Sequence, residues 1–386
     1  MEKASENNSH RRVKSRWKRA GIAFAAGTSL LFGAVYVSAN AATVPSDPAG
    51  GAGTPTATAP GGAGAPTATA SSSSDASDVV TAANAFLDTL DEDQQSSVLL
   101  DFTEANATAW SNLPCGSTCR VGIAFSSLSD EQLTAAKAVI KAATGTGTDS
   151  GNDQITQILA ADDYLGESAD GYGSGNYYLA FLGTPSADGT WQLHFGGHHL
   201  ALNLTYEDGE VEGSTPYFVG VEPTNWTEDG TSYAPLSGMY DAMSAMVAGL
   251  STDELAEAKL SESFSDVLLG PDDDGDFPTA KEGLKVGELT DDQQELVLNA
   301  IEPWVDVADD TTAASVLSTY KSELDETYIS YSGSTDLSAQ GDYVRIDGPG
   351  VWIEFVCQDG VVYSDQIHYH TVYRDHTTDY GGEFSF

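Results

Sequence analysis

The sequence predicts an α+β fold: an antiparallel sheet carrying two histidine clusters, with helices packed around it. Three observations lead there. Strand-like runs separated by turn residues gather at 176–206 and 351–373. Helical periods with clear start signals lie at 78–102, 128–144, 237–259, 290–301 and 310–326. Of the seven histidines, His194, His198 and His199 form one group and His368, His370 and His376 another. The stretch between His199 and His368 has none.

The chain begins with a basic segment that holds seven of its 16 Lys and Arg residues, from Lys3 to Arg19. An apolar run follows from about Gly21 to Val37, then the small residues Ser38-Ala39-Asn40-Ala41. That order is the pattern of a secretory signal peptide over 1–41, cleaved after Ala41. An uncleaved anchor is the competing reading, since the run is near the minimum length for a span. The Arg11-Arg12 pair raises twin-arginine export. Residues 42–77 are Ala, Gly, Pro, Thr and Ser with almost no aliphatic bulk, which is a low-complexity tether that cannot bury a core. The remainder, 78–386, reads as a single α+β domain. The expected location is outside the cell or in its envelope, with no stable membrane insertion once the leader is removed.

The 386 residues carry a formal net charge of −42. Cleavage after Ala41 leaves nine basic residues against 56 acidic ones. Nucleic acid is excluded as a partner on that balance, because a phosphate backbone needs cations to neutralise it. Three cysteines remain. In an oxidising compartment Cys115 and Cys119 can close a small loop and leave Cys357 free; a Cys119–Cys357 bond is the alternative.

One pattern recurs at helix starts: Leu90-Asp-Glu-Asp-Gln, Leu128-Ser-Asp-Glu-Gln, Leu250-Ser-Thr-Asp-Glu and Leu289-Thr-Asp-Asp-Gln. A cap oxygen satisfies orphan N–H groups, and acids in the first turn face the positive end of the helix dipole. The irregular spacing favours four well-capped helices over a repeated module. Asn176–Leu182 and Trp191–Tyr206 form a hairpin across the turn residues 183–189. Val351–Cys357 and Val361–Tyr373 form another around Asp359-Gly360.

Imidazole suits zinc, copper or iron, and two distant clusters that fold together can build one site. His368 and His370 share a strand face by period two. A two-residue Asp359-Gly360 turn sets His368 opposite Val351, on an apolar face with Ile353 and Phe355, and puts Glu354 on the other face. In the first cluster His194 and His198 share a face and His199 takes the other, unless Gly196 and Gly197 make a bulge that turns His198 and His199 inward. Arg374 and Asp379 follow the second cluster and are candidates to anchor a substrate or orient an imidazole. Asp272–Asp276 resembles a calcium loop in composition, but its glycine comes too early and Gly283 stands where the last ligand belongs. No P-loop, nucleophile elbow, dinucleotide fingerprint or H-E-x-x-H motif is present.

Phe195-Gly-Gly-His-His-Leu-Ala-Leu-Asn203, Thr215–Gly220, Tyr343–Pro349, Trp352-Ile-Glu354 and His368-Tyr-His-Thr-Val-Tyr-Arg374 through Gly381 together resemble the bacterial family called Domain of Unknown Function 3500. The resemblance runs from about residue 80 to the C-terminus. It places His198, His199, His368, His370 and Arg374 in the family's marked blocks, and leaves His194 and His376 outside them. It implies no activity.

The residues therefore lead to an exported metal-dependent enzyme. His198, His199, His368 and His370 are the expected ligands of zinc, copper or iron, with Arg374 and Asp379 acting beside them. Zinc would serve hydrolysis of a small-molecule or polymer substrate, and copper or iron would serve redox chemistry. A non-catalytic metal- or ligand-binding protein, and a structural protein with packed histidines, are the other readings.

Overall fold

Residues 76–386 are described by the structure, a computed structural model. The expected leader lies outside them, and so does the tether apart from its last two residues, which open the first helix.

The chain builds the same arrangement twice. The first half runs α1 (Ala76–Leu87), α2 (Glu92–Val98), β1 (Leu99–Leu100), α3 (Glu104–Ala107), β2 (Ile123–Ala124), α4 (Asp130–Ala143), α5 (Gly151–Gly166), β3 (Tyr178–Leu182), β4 (Thr190–Gly196), β5 (Leu200–Glu207), β6 (Glu210–Gly213) and β7 (Tyr217–Val221). A small hairpin, β8 (Trp226–Glu228) and β9 (Thr231–Tyr233), leads to the second. That half runs α6 (Ser237–Ala248), α7 (Thr252–Ala258), β10 (Leu284–Lys285), α8 (Asp291–Val305), α9 (Asp310–Glu323), β11 (Tyr328–Ser332), β12 (Tyr343–Asp347), β13 (Val351–Asp359) and β14 (Ile367–Asp375). One large, mostly antiparallel sheet takes the order β1-β3-β4-β5-β7-β14-β13-β12-β11-β10, with β2 on β3 and β6 on β5. The order reads as a near mirror about the β7–β14 pair, where Thr371 faces Val219.

Details repeat with the topology. All four recurring start patterns form reciprocal capping boxes, at Asp91/Gln94, Ser129/Gln132, Ser251/Glu254 and Thr290/Gln293. They then pair: Gln132 donates to Gln94 at 2.8 Å in one half, and Gln293 to Glu254 at 2.8 Å in the other. Gly122 and Gly283 hold φ of +99° and +97°, and a Cβ at either would strike the carbonyl of Leu179 or Ile329, the matching strand residues. Leu99 pairs in parallel with Phe181, and Lys259 with Tyr331. The pattern that spacing alone assigns to separate helices is thus part of an internal repeat. Its period is uneven because the connecting loops differ in length.

Alternation sorts the strands into two faces. Leu179, Phe181, Leu193, Phe195, Leu202, Leu204, Ile353 and Phe355 pack under the helices in the main core. The opposite face carries His194, Asn203, Glu354, Arg345 and Arg374, all buried, with α3, the Tyr380 turn and long loops above it. The helices therefore lie on one face and not all round the sheet.

Three expectations change. The 78–102 and 237–259 periods each break into two helices, the second of each pair opening at its own cap. Trp191–Tyr206 is two strands, because the chain reverses at 197–199. The last hairpin does not turn at Asp359-Gly360: Asp359 still pairs with Ile367, and residues 360–366 form a longer loop. Its Val362 and Tyr363 N–H groups are held by Glu222, both at 2.8 Å. The register moves by an odd number of residues, which swaps faces. His368 lies opposite Gln358, and Glu354 shares its face.

Candidate metal centre

Gly196 ends β4 and Leu200 begins β5, and Gly197 N–H closes the turn on Leu200 O at 2.8 Å. A side chain at Gly197 would run into the Tyr177 ring, so glycine is what permits the turn. The turn presents His198 and His199 side by side, ring centroids 3.7 Å apart. On β14 period two brings His368 and His370 together, centroids 4.8 Å apart and Nε2 atoms 3.3 Å apart. Gly220 of β7 lies opposite His370, and a Cβ there would come within 2.8 Å of Cδ2 of both His199 and His370. The two clusters meet because that position has no side chain. One ring nitrogen each of His199, His368 and His370 lies within 4.8 Å of the others. Asp162, His198 and His199 form a second such group.

Each of the four imidazoles turns Nδ1 toward an oxygen. His368 Nδ1 lies 2.8 Å from the Asp359 carbonyl, and His370 Nδ1 2.9 Å from Asp266 Oδ1. The Gln358 amide also lies 3.0 Å from His370 Nδ1. His198 and His199 Nδ1 lie 3.1 and 3.6 Å from Asp162 Oδ1. An Nδ1 that donates to a carbonyl or carboxylate leaves Nε2 its lone pair, a state open to His368 and to His370, whose Nδ1 can instead accept from Gln358. The Nε2 atoms of His368 and His370 stand 3.3 Å apart, a spacing that a shared proton or a cation held between them satisfies. His198 Nε2, His199 Nδ1 and both Asp162 oxygens are buried without an aligned hydrogen bond. The donor set and these orphaned atoms fit a bound transition-metal ion.

Burial, followed by the charge of His198, pushes the His199 imidazole well below its usual range. Burial and the charge of His370 lower His368 to about 3. Both rings are therefore neutral and competent as ligands at pH 7. Burial pushes the Asp162 carboxyl up, but the two imidazoles beside it outweigh that and hold it at about 2. Its negative charge is kept in the interior, 1% exposed. A cavity of about 210 Å³ opens beside the imidazoles, lined also by Leu113, Tyr172, Glu222, Asp266 and Val361.

The structure thus brings His198, His199, His368 and His370 to one place. Arg374 and Asp379 do not line the cavity. Arg374 is buried, donating to Leu269 O, Gly270 O, Asp274 and Asp379. Asp379 also accepts from the Asp375 N–H at 2.9 Å. The acidic 272–276 loop is thereby tied down through Asp274, which accepts from Tyr380 as well. Glu354, although on the histidine face, is occupied by the Leu268 and Leu269 N–H groups, Tyr343 OH and Trp352 Nε1. His194 sits on Asn203 and the Ala109 carbonyl, and His376 on Asp347 and Lys281. Cys115 and Cys119 form the disulfide, and Cys357 is free and buried.

Asp162 was invisible to the sequence argument because its helix, α5, was not expected. Its signal was present: Ile155, Ile158, Leu159 and Leu165 make an apolar stripe, and Asp162 lies on it. An acid on a buried stripe needs a partner.

The second half has no such centre at the matching corner. Pro349 and Gly350 replace His198 and His199 in the β12–β13 turn, where Gly348 N–H closes on Val351 O at 2.7 Å. Tyr320 of α9 covers Gly350 and bonds Tyr373 OH and Asp375. The fold and site define a duplicated sheet with one buried histidine–carboxylate centre. The chain belongs to the family described as protein of unknown function, Domain of Unknown Function 3500, whose model matches residues 72–382. No curated protein and no solved structure matches it. Among the described residues no helix is long and apolar enough to cross a membrane.

Proposed function

We propose that this protein is an exported metal-dependent enzyme of hydrolase type. His199, His368 and His370 would hold the ion, which narrows the four expected ligands to three. The observation that carries the reading is that His368 and His370 set Nδ1 against oxygen acceptors and Nε2 atoms 3.3 Å apart, with a ring nitrogen of His199 beside them. Three histidines with an open position are a common catalytic zinc arrangement. Such an ion supplies Lewis-acid activation of a carbonyl and of water.

The chain's own residues do the rest. Asp162 and Asp266 fix ring orientation and raise ligand basicity. His198, beside His199 and backed by Asp162, would take a proton from the attacking water at Nε2 and pass it to the leaving group. Arg374 and Asp379 hold the loop over the sheet instead of touching substrate. The cavity beside the imidazoles favours an enzyme over a closed storage site. Copper or iron in the same ligands would make it a redox enzyme. Export is supported by the leader pattern and by the Cys115–Cys119 disulfide.

The test is turnover of a panel of small esters and amides by the 42–386 chain. Activity should vanish with a chelator and return with zinc. Activity that survives complete metal removal contradicts the reading.

A further inference from the structure

Two large apolar side chains stand exposed at the mouth of the cavity, Leu113 at 61% and Val361 at 69%. Leu113 belongs to the loop after α3, where buried Arg120 donates to Ser111 O at 2.7 Å and Leu113 O at 2.8 Å. The Cys115–Cys119 disulfide closes the next turn. Asn112 donates to Asp266 Oδ2 at 3.0 Å, which ties this lip to the carboxylate behind His370. Val361 belongs to the loop between β13 and β14, held from below by Glu222. Both lips are thus fixed by polar anchors. Their apolar side chains project without contributing to a core, and at the cavity they offer apolar surface to a ligand's aliphatic part.

The charge of the lining is equally informative. The cavity is lined by Glu222 and Asp266 and by no lysine or arginine. Asp162 stands behind His198 and His199. With one divalent ion bound, these three carboxylates would leave no positive excess for an anion.

We infer that the cavity takes a small uncharged polar compound with a short aliphatic arm, such as an aliphatic amide or ester, and disfavours carboxylates and phosphates. The inference rests on the metal reading above. The polar head meets the imidazole end, and the arm lies between Leu113 and Val361.

The experiment loads the 42–386 chain with cobalt and follows its visible spectrum while acetamide, butyramide and butyrate are added in turn. Butyramide should bind about tenfold more tightly than acetamide, from burial of two further methylenes. It should also bind more tightly than butyrate. A Leu113→Ser, Val361→Ser double variant should lose the chain-length gain with its unliganded cobalt spectrum unchanged. Val361→Lys should raise butyrate affinity. Tightest binding by butyrate in the unaltered chain, no binding of either amide, or an undiminished chain-length gain in the double variant overturns the inference. Absence of any cobalt spectrum is a failure of the metal reading instead. The same series, followed by saturation-transfer NMR on the metal-free chain, then decides the order of charge and chain length.

Discussion

Replacing Asp162 by Asn separates an orienting carboxylate from a merely structural one. Asp162 is 1% exposed and stands 3.1 and 3.6 Å from the Nδ1 atoms of His198 and His199. Among the three proposed ligands only His199 faces Asp162, and asparagine leaves it a neutral amide in place of a carboxylate; His370 keeps Asp266 and His368 keeps the Asp359 carbonyl. Loss of such a partner costs about 10- to 100-fold in metal affinity. With one ligand of three affected, about 10- to 30-fold is expected, or about 1.4 to 2 kcal/mol. The metal-free protein should lose some stability as well. The two imidazoles hold the Asp162 carboxyl below its usual range, so asparagine removes a charge that the fold favours, and the apo melting temperature should fall by a few degrees. The assay is competition for zinc with a chromophoric chelator at fixed pH, beside thermal melts of the apo forms. Zinc affinity within twofold of the unaltered chain refutes the orienting role. A rise in the apo melt would mean that the imidazoles do not favour the Asp162 charge.

Arg374→Lys should lower stability by about 3 kcal/mol, because buried acceptors lose a forked partner, yet leave zinc affinity of the folded fraction unchanged; titration and melting together check this. Gly220→Ala should leave the apo fold largely intact but weaken zinc binding at least tenfold, since its Cβ displaces both His199 and His370; calorimetric titration reads it. Burial lowers the His194 pKa to about 4, against the help of Asn203 and the Ala109 carbonyl. The unfolded chain then binds the proton first, so stability present above pH 6.5 is lost as pH falls toward 4. At about 1.4 kcal/mol per pH unit that is about 3 kcal/mol, and denaturant melts of His194→Gln between pH 7 and 4.5 should show a shallower fall. Gly122→Ala and Gly283→Ala should each cost at least about 2 kcal/mol, and by similar amounts, as repeat-related positions of positive φ.

What could be read from the sequence was what local chemistry writes. The four capped helix starts, the hairpin at 183–189 and the H-x-H pair on one strand face all came from neighbouring residues. The bringing together of the two histidine clusters was expected from their isolation in the chain. The last hairpin was misread because Asp359-Gly360 has ideal turn residues, while the loop that forms is held by Glu222 from a distant strand. Gly220, on which the meeting of the clusters depends, looks like any strand glycine until its neighbours are known. The repeat hides behind unequal loops and survives mainly in register, in the paired capping glutamines and in Gly122 and Gly283. The specialised corner is also unreadable locally: only in space does Tyr320 stand where the other half has Asp162.

The most direct measurement is the metal content of the untagged 42–386 chain by mass spectrometry, beside a His199→Ala, His368→Ala variant, after both are offered zinc, copper and iron. About one ion per chain in the first and none in the second, with both still folded, is the predicted result. A folded chain that takes up no ion, or a variant that keeps its metal, contradicts a centre built from these histidines.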